Sequence, residues 1–341
     1  MNLPGYNFLS APLWLISTLH VVTLSLHFVA MNFMVGGVII VLFGKFQDRW
    51  NHPVVKQFIR LFPSAMAATV TLGVAPLLFV QLVYHRQIYA ASIVSGWFWL
   101  GIIGVAILAY YALYASAFGV EKPAAHKKRW LIVALICFAY ISYIYSSVFS
   151  MAEHPDLYKV LYASNQSGWV INPEVGSYIF RWLHMLAGAV TVGGFFVGLI
   201  GRKDEAAFRI GKGFFLWGMG ITMVFGLGYL FTLGDAILPF MKSPAIWVLL
   251  VAIVLSLGSL HFFFKKKFLA SGLMVLLSLI GMVTVRQVLR IIHLEGAFEP
   301  SSLPVMPQWS VFSLFLVFFV IALLLVWYMV KIFLARERQT A

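Results

Sequence analysis

A chain of 341 residues that is 62% hydrophobic and only 10% charged is too apolar for a water-soluble domain, so its chemistry has to lie inside a bilayer or at its faces. A formal charge of +13 would fit nucleic acid only if basic side chains alternated with aromatics on one exposed face; here they sit in short connections between apolar runs, which excludes that partner. The single cysteine, Cys137, lies in an apolar run and rules out a disulfide framework, a CxxCH attachment for covalent haem and an iron–sulfur spacing.

Windows of about 20 apolar residues predict nine membrane-spanning helices, at 13–44, 62–84, 97–118, 130–151, 178–201, 213–233, 244–264, 268–289 and 310–334. The fold class is therefore all-α, a polytopic membrane protein forming one membrane domain over residues 1–341. A first four-helix group spans 13–151, a second spans 178–289, and the ninth helix is peripheral. Alternate connections differ in charge. Those at 45–60, 119–129, 202–212, 265–267 and the tail from Lys331 hold 18 Lys and Arg against five acids, whereas the rest of the chain holds six of each. By the positive-inside rule the N-terminus is outside and the C-terminus inside.

Residues 1–12, with two prolines and a glycine, are expected along the outer interface. The first span carries His20 and His27 seven residues apart on one face, with Met31 and Met34 continuing the stripe. Imidazoles inside a membrane are functional-site candidates, either as haem ligands or as hydrogen-bond donors to neighbouring carbonyls or propionates. The second span ends with Gln81, His85 and Arg86 near the outer face, where His85 either supports a haem or is solvated at the interface. Trp97 and Trp99 open the third span as interface anchors, and the tyrosine clusters of the third and fourth spans read as packing surfaces.

The outer segment 151–177 is the longest connection and is large enough for a short interfacial helix and a partner contact. His154 within it reads as solvated. In the fifth span Arg181, His184, Gly188 and Thr191 share one helix face. A cation, an imidazole and a patch of bare backbone in one direction suit a flat anionic ligand that contains a metal. Such a ligand is haem, with His184 on the iron, Gly188 clearing the macrocycle and Arg181 on a propionate. The sixth span has Gly218, Gly220, Gly226 and Gly228 for close approach, and Met219 and Met223 as soft axial ligands or as core filler. In the eighth span Arg286, Arg290 and His293 form a stripe that fits propionates, a quinone headgroup or a snorkelling helix end. Histidines 52, 126 and 261 fall on the basic side, where solvation or lipid contact is expected.

None of the nine apolar cores contains Asp or Glu, so the carboxylate chain of a proton pump is missing. No Ser/His/Asp, HExxH, P-loop or dinucleotide signature occurs in a suitable context, and no inverted repeat with paired broken helices points to a transporter.

In the first span His27-Phe28 with Gly36 nine residues after the histidine, and in the fifth His184 with its following glycines, the chain resembles subunit I of the cytochrome bd family of quinol oxidases. The similarity is low but extends over most of the chain. It implies nine spans, an outside N-terminus, a bacterial cytoplasmic (inner) membrane, and b-type haems near the outer face on His27 and His184. The departures concern oxygen chemistry. Gln81 stands where the family has a glutamate, the third span has none, and the eighth span keeps only Val285-Arg286-Gln287 of a longer motif that carries a ligating glutamate. The quinol-binding loop after the sixth span is reduced to Asp235–Ser243. The methionine opposite the low-spin histidine has no clear counterpart, leaving Met241, Met223 or another histidine for that role.

The expectation is a b-type cytochrome subunit, the quinol-oxidising or quinone-reducing part of an oxidoreductase complex in a respiratory chain. It would bind one or more haem b with His184 and His27 on iron, and exchange electrons between quinone and a periplasmic c-type cytochrome or iron–sulfur subunit, in contact with membrane lipid. The alternatives are a terminal quinol oxidase subunit with rearranged ligands, and a haem-free quinone-binding anchor or transporter.

Overall fold

The computed structural model describes residues 8–340, and among them the chain is helical with no strands. Eleven α-helices follow in order: α1 Leu13–Phe43, α2 Pro53–Val94, α3 Gly96–Phe118, α4 Ala124–Ala152, α5 Pro155–Ser164, α6 Ile179–Ile200, α7 Glu205–Phe231, α8 Ile237–Lys242, α9 Ala245–Phe264, α10 Phe268–His293 and α11 Trp309–Thr340. Among the described residues nine of these, all but α5 and α8, are long and apolar enough to cross a membrane, so the chain is a multi-pass membrane protein. The interfacial segment expected over 1–12 falls mostly outside the described residues. Of its remainder, Leu9 donates its N–H to Pro304 O at 2.8 Å and accepts from Met306 N at 2.8 Å, which ties the start of α1 to the segment before α11.

Helix ends follow the local chemistry. Pro53 opens α2, where a missing N–H costs nothing, and Asp204 caps α7 by accepting from Ala206 N at 2.9 Å and Ala207 N at 3.0 Å. Lys127 is buried and donates to Val120 O at 2.7 Å and Trp50 O at 3.3 Å, satisfying carbonyls just past α3 and in the α1–α2 loop. Hydropathy underestimates three spans at the ends where α1 finishes and α7 begins. There α2, α4 and α7 continue as polar helix beyond the apolar stretch, with Lys56 and Arg60 of α2 paired to Glu121 at 2.6 and 3.2 Å. This end of the bundle, with Lys45, Lys127, Lys203 and Lys265–Lys267, is called the lysine end. At the other end α2 leaves helical geometry at Tyr84 (φ −112°, ψ 32°) and resumes to Val94, so the predicted limit at residue 84 marks a kink and not a stop.

α1 and α6 form the centre of the bundle. Their backbones approach through Gly36 and Gly193, and on either side α2 packs on α1 and α7 on α6. Met34, Val38, Phe58, Phe62 and Leu113 knit α1 to α2 and α3, and Phe195, Phe215 and Phe263 knit α6 to α7 and α9. The described side chains of α11 are exposed almost throughout. Its apolar surface therefore faces lipid or another chain.

Candidate intramembrane histidine and arginine sites

The three histidines of the α1 and α6 cores share one arrangement. His27 Nδ1 lies 2.9 Å from Thr69 O of α2, His20 Nδ1 lies 3.1 Å from Pro76 O of α2, and His184 Nδ1 lies 2.8 Å from Thr222 O of α7. A carbonyl oxygen only accepts, so Nδ1 carries the hydrogen in each ring and a neutral imidazole keeps its lone pair on Nε2. An Nδ1–H held by a main-chain carbonyl is the outer-shell partner that orients a metal-ligating imidazole. The seven-residue spacing of His20 and His27 meets acceptors seven residues apart on α2, so both rings face that helix.

His27 and His184 are also equivalent in sequence. Residues 26–44 of α1 and its end read L-H-x2-A-x4-V-G-G-x4-L-x-G, and residues 183–201 of α6 read the same. The partner helices repeat as well: Phe62, Met66, Thr69 and Gly73 of α2 correspond in spacing to Phe215, Met219, Thr222 and Gly226 of α7. In both pairs the acceptor carbonyl belongs to the threonine, and the glycine one turn on lies under the imidazole. A Cβ on Gly73 would fall 2.9 Å from His27 Nδ1, and one on Gly226 would fall 3.0 Å from His184 Nδ1. Both threonine hydroxyls donate to the carbonyl four residues earlier, Thr69 to Ala65 at 2.7 Å and Thr222 to Gly218 at 2.8 Å. The repeat runs in the same direction in both halves, so a search for inverted halves misses it. Nine residues from each histidine to the crossing glycine puts both rings about 13 Å from the α1–α6 crossing, at equal depth.

Gly188, one turn along α6 from His184, has nothing within 4 Å of the position a Cβ would take, so bare backbone borders open space there. Met223 packs against the cluster of Phe195, Phe215 and Phe263. His85 follows the Tyr84 kink, partly buried, and its Nε2 is enclosed without a hydrogen-bond partner among the described residues. Among the described residues no three His, Cys, Asp or Glu side chains gather as an ion-binding group, and the available donors are separate imidazoles, His20 and His27 on α1 and His184 on α6. That donor set suits a macrocycle that already supplies the equatorial ligands, and so fits haem better than a bare metal ion.

At the end opposite the lysines, four side chains from three helices converge. Glu153, the residue just past the end of α4, is 3% exposed and pairs with Arg181 of α6 at 3.6 Å, with Arg290 of α10 at 3.3 Å and with Arg286 of α10. Arg181 also donates to Ser146 O at 2.7 Å, and Arg290 to Gln287 Oε1 at 2.9 Å. Arg290 further lies over the Tyr84 ring at 5.3 Å. Burial by itself would raise the Glu153 pKa, but the guanidinium charges of Arg286, Arg181 and Arg290 outweigh it and hold the carboxyl at about 2. His293, at the end of α10, lies ring to ring with His154 at 5.3 Å, beside this arginine end.

The structure thus brings Arg181, Arg286 and Arg290 together and places His20 within the electrostatic reach of Arg290. Arg181 reaches Glu153 and Ser146 at the end of α4 and also meets Tyr229 of α7, the helix whose Thr222 holds His184. Sequence reading missed Glu153, which lies just past the apolar part of its span. The signal was available as three arginines at one end of the bundle with no acid yet assigned to them. Compared with models of known protein families and with curated proteins, the chain matches none of them.

Proposed function

We propose that the protein is a membrane b-type cytochrome that binds one haem on each repeat, through His27 and His184, and exchanges electrons between membrane quinol and a redox partner on the arginine side. The observation that supports this reading is the duplicated unit itself: an intramembrane imidazole, its Nδ1–H held by a threonine carbonyl, and a glycine beneath the ring, present once on α1/α2 and once on α6/α7. A histidine kept only for packing has no reason to be reproduced with its acceptor and its tautomer in both halves.

Bound there, haem b supplies reversible one-electron chemistry. The protein's own residues set the conditions for it. Thr69 O and Thr222 O fix the imidazoles and make Nε2 the available donor. Apolar α1 and α6 exclude water from both rings. The open face at Gly188 gives a flat ring system room along α6, and His20 is positioned as a second imidazole toward the arginine end. Basic residues at the lysine end favour that end on the cytoplasmic side of a bacterial membrane, which puts the arginine end outside, where a c-type cytochrome or iron–sulfur partner would collect electrons. Protons released by quinol there leave to the outer water.

The test is the haem content of the purified chain. A pyridine haemochrome assay is expected to give two haem b per chain, one fewer in His27→Ala and one fewer in His184→Ala. A chain with no b-type absorption band would reject the cytochrome reading in favour of a haem-free quinone-binding anchor.

A further inference from the structure

Arg181, Arg286 and Arg290 bring three guanidinium charges to one carboxylate, and among the described residues no second carboxylate pairs with any of them. Arg181 is 7% exposed, Arg290 6% and Glu153 3%, and the Arg286 side chain is 20% exposed, so most of the excess of two positive charges sits where water disperses it poorly. Donors also outnumber acceptors. Among the described residues Arg286 Nη1 is enclosed with no hydrogen-bond partner, and Glu153 is the one carboxylate the three guanidinium groups share, with Ser146 O and Gln287 Oε1 as further acceptors for Arg181 and Arg290. Such a cluster is incomplete in charge and in hydrogen bonds for the same ligand class, an oxyanion with more than one acceptor oxygen.

We propose that Arg181, Arg286 and Arg290, gathered by Glu153, form a binding site for a paired oxyanion, and that its occupant is the propionate edge of the haem on His184. The identity of that occupant rests on the cytochrome reading; the oxyanion site does not. Arg181 stands one turn from His184 on α6, so a ligand held by that imidazole would have a cation of the same helix toward its edge. Glu153 acts as the template. It holds three like charges in one place before the ligand arrives, and its removal would drive them apart. The same chemistry could be met by the phosphate of an anionic lipid headgroup, because the cluster lies at a helix-end level of the membrane.

The experiment titrates the haem-depleted full-length chain, in a neutral detergent, with haem b and with haem b dimethyl ester, whose propionates are blocked. Wild type is expected to bind haem b at least tenfold more tightly than the ester, and Arg286→Gln is expected to bind the two equally. Should Arg286→Gln not fold, the wild-type comparison alone decides, with Arg286→Lys, which keeps the charge and loses the fork, expected to fall between. Equal binding of haem b and ester by wild type, with bands that still require His184, would overturn this inference and leave the cytochrome reading standing. If neither porphyrin gives a band but phosphatidylglycerol micelles raise the melting temperature of wild type and not of Arg286→Gln, the oxyanion site stands with lipid as its source and the cytochrome reading falls. No response to either porphyrin or lipid would overturn both.

Discussion

Gly36 of α1 and Gly193 of α6 occupy each other's side-chain space. A Cβ built on Gly193 would lie 2.6 Å from the Gly36 carbonyl carbon, and one built on Gly36 would lie 2.9 Å from Gly193 Cα. The two residues are equivalent in the internal repeat, so this contact lies at the pseudo-symmetric centre of the bundle. It sets the spacing and depth of the two histidines relative to each other.

Gly193→Ala therefore cannot be absorbed by moving a flexible side chain, because the obstruction is backbone. Overpacking of this kind costs about 1–3 kcal/mol. The melting temperature in detergent is expected to drop by several degrees, whereas Gly188→Ala, with open space at its Cβ, should leave it unchanged or slightly higher. Equal melting temperatures for the two variants would mean that the α1–α6 crossing is looser than described.

The glycine beneath each imidazole gives a second prediction. A methyl group at Gly226 would meet His184 Nδ1 at 3.0 Å and one at Gly73 would meet His27 at 2.9 Å, so each substitution pushes one ring off its carbonyl. Gly226→Ala is expected to shift or weaken only the haem band that His184→Ala removes, and Gly73→Ala only the band that His27→Ala removes. Absorbance spectra of the reduced chain, normalised to protein, check this. A change in both bands from either substitution would contradict independent sites.

Much of this was legible before the structure, and the remainder was hidden for physical reasons. Hydropathy located the spans because burying about 20 apolar residues is a one-dimensional property. It misplaced the ends of α2, α4 and α7, whose polar extensions are held by contacts such as Lys56 and Arg60 with Glu121. A helical wheel put Arg181, His184 and Thr191 on one face but cannot say which neighbour each meets. In the structure Arg181 meets Glu153 and Ser146 at the end of α4 and Tyr229 of α7, whereas His184 and Thr191 both meet Thr222 of α7. Arg286 and Arg290 were readable as a pair at i and i+4, whereas their carboxylate comes from a residue remote in the chain and no local pattern announces it. The repeat was readable as a motif, yet the connection from Gly44 to Phe62 is longer than that from Gly201 to Phe215, so a single fixed offset aligns only half of it.

Removing Glu153 should be among the most destabilising single changes in the chain. It leaves Arg181 and Arg290 buried, and Arg286 half-buried, without their shared counter-charge, and breaking a buried ion cluster by deleting one partner costs about 3–5 kcal/mol. Glu153→Ala and Glu153→Gln are expected to lower the melting temperature sharply, with Glu153→Asp intermediate, in thermal unfolding followed by circular dichroism. A Glu153→Gln chain as stable as wild type would show that the arginines are solvated.

The same residue makes stability depend on pH in a stated direction. Glu153 has a folded pKa of about 2, against an ordinary value of 4.5, because Arg286, Arg181 and Arg290 together overcome the cost of burial. A carboxyl whose pKa is depressed on folding takes up protons more readily in the unfolded chain. Its stabilisation is therefore complete above the unfolded value and is lost as pH falls through the folded one. His293 and Tyr84 also face this cluster, so the contribution of Glu153 is isolated by difference. The gap in melting temperature between wild type and Glu153→Gln should be widest and constant above about pH 5, and should close progressively between pH 4.5 and 2. A gap that widens on acidification would mean that the carboxyl is protonated in the folded protein, and that the arginines are held by something other than its charge.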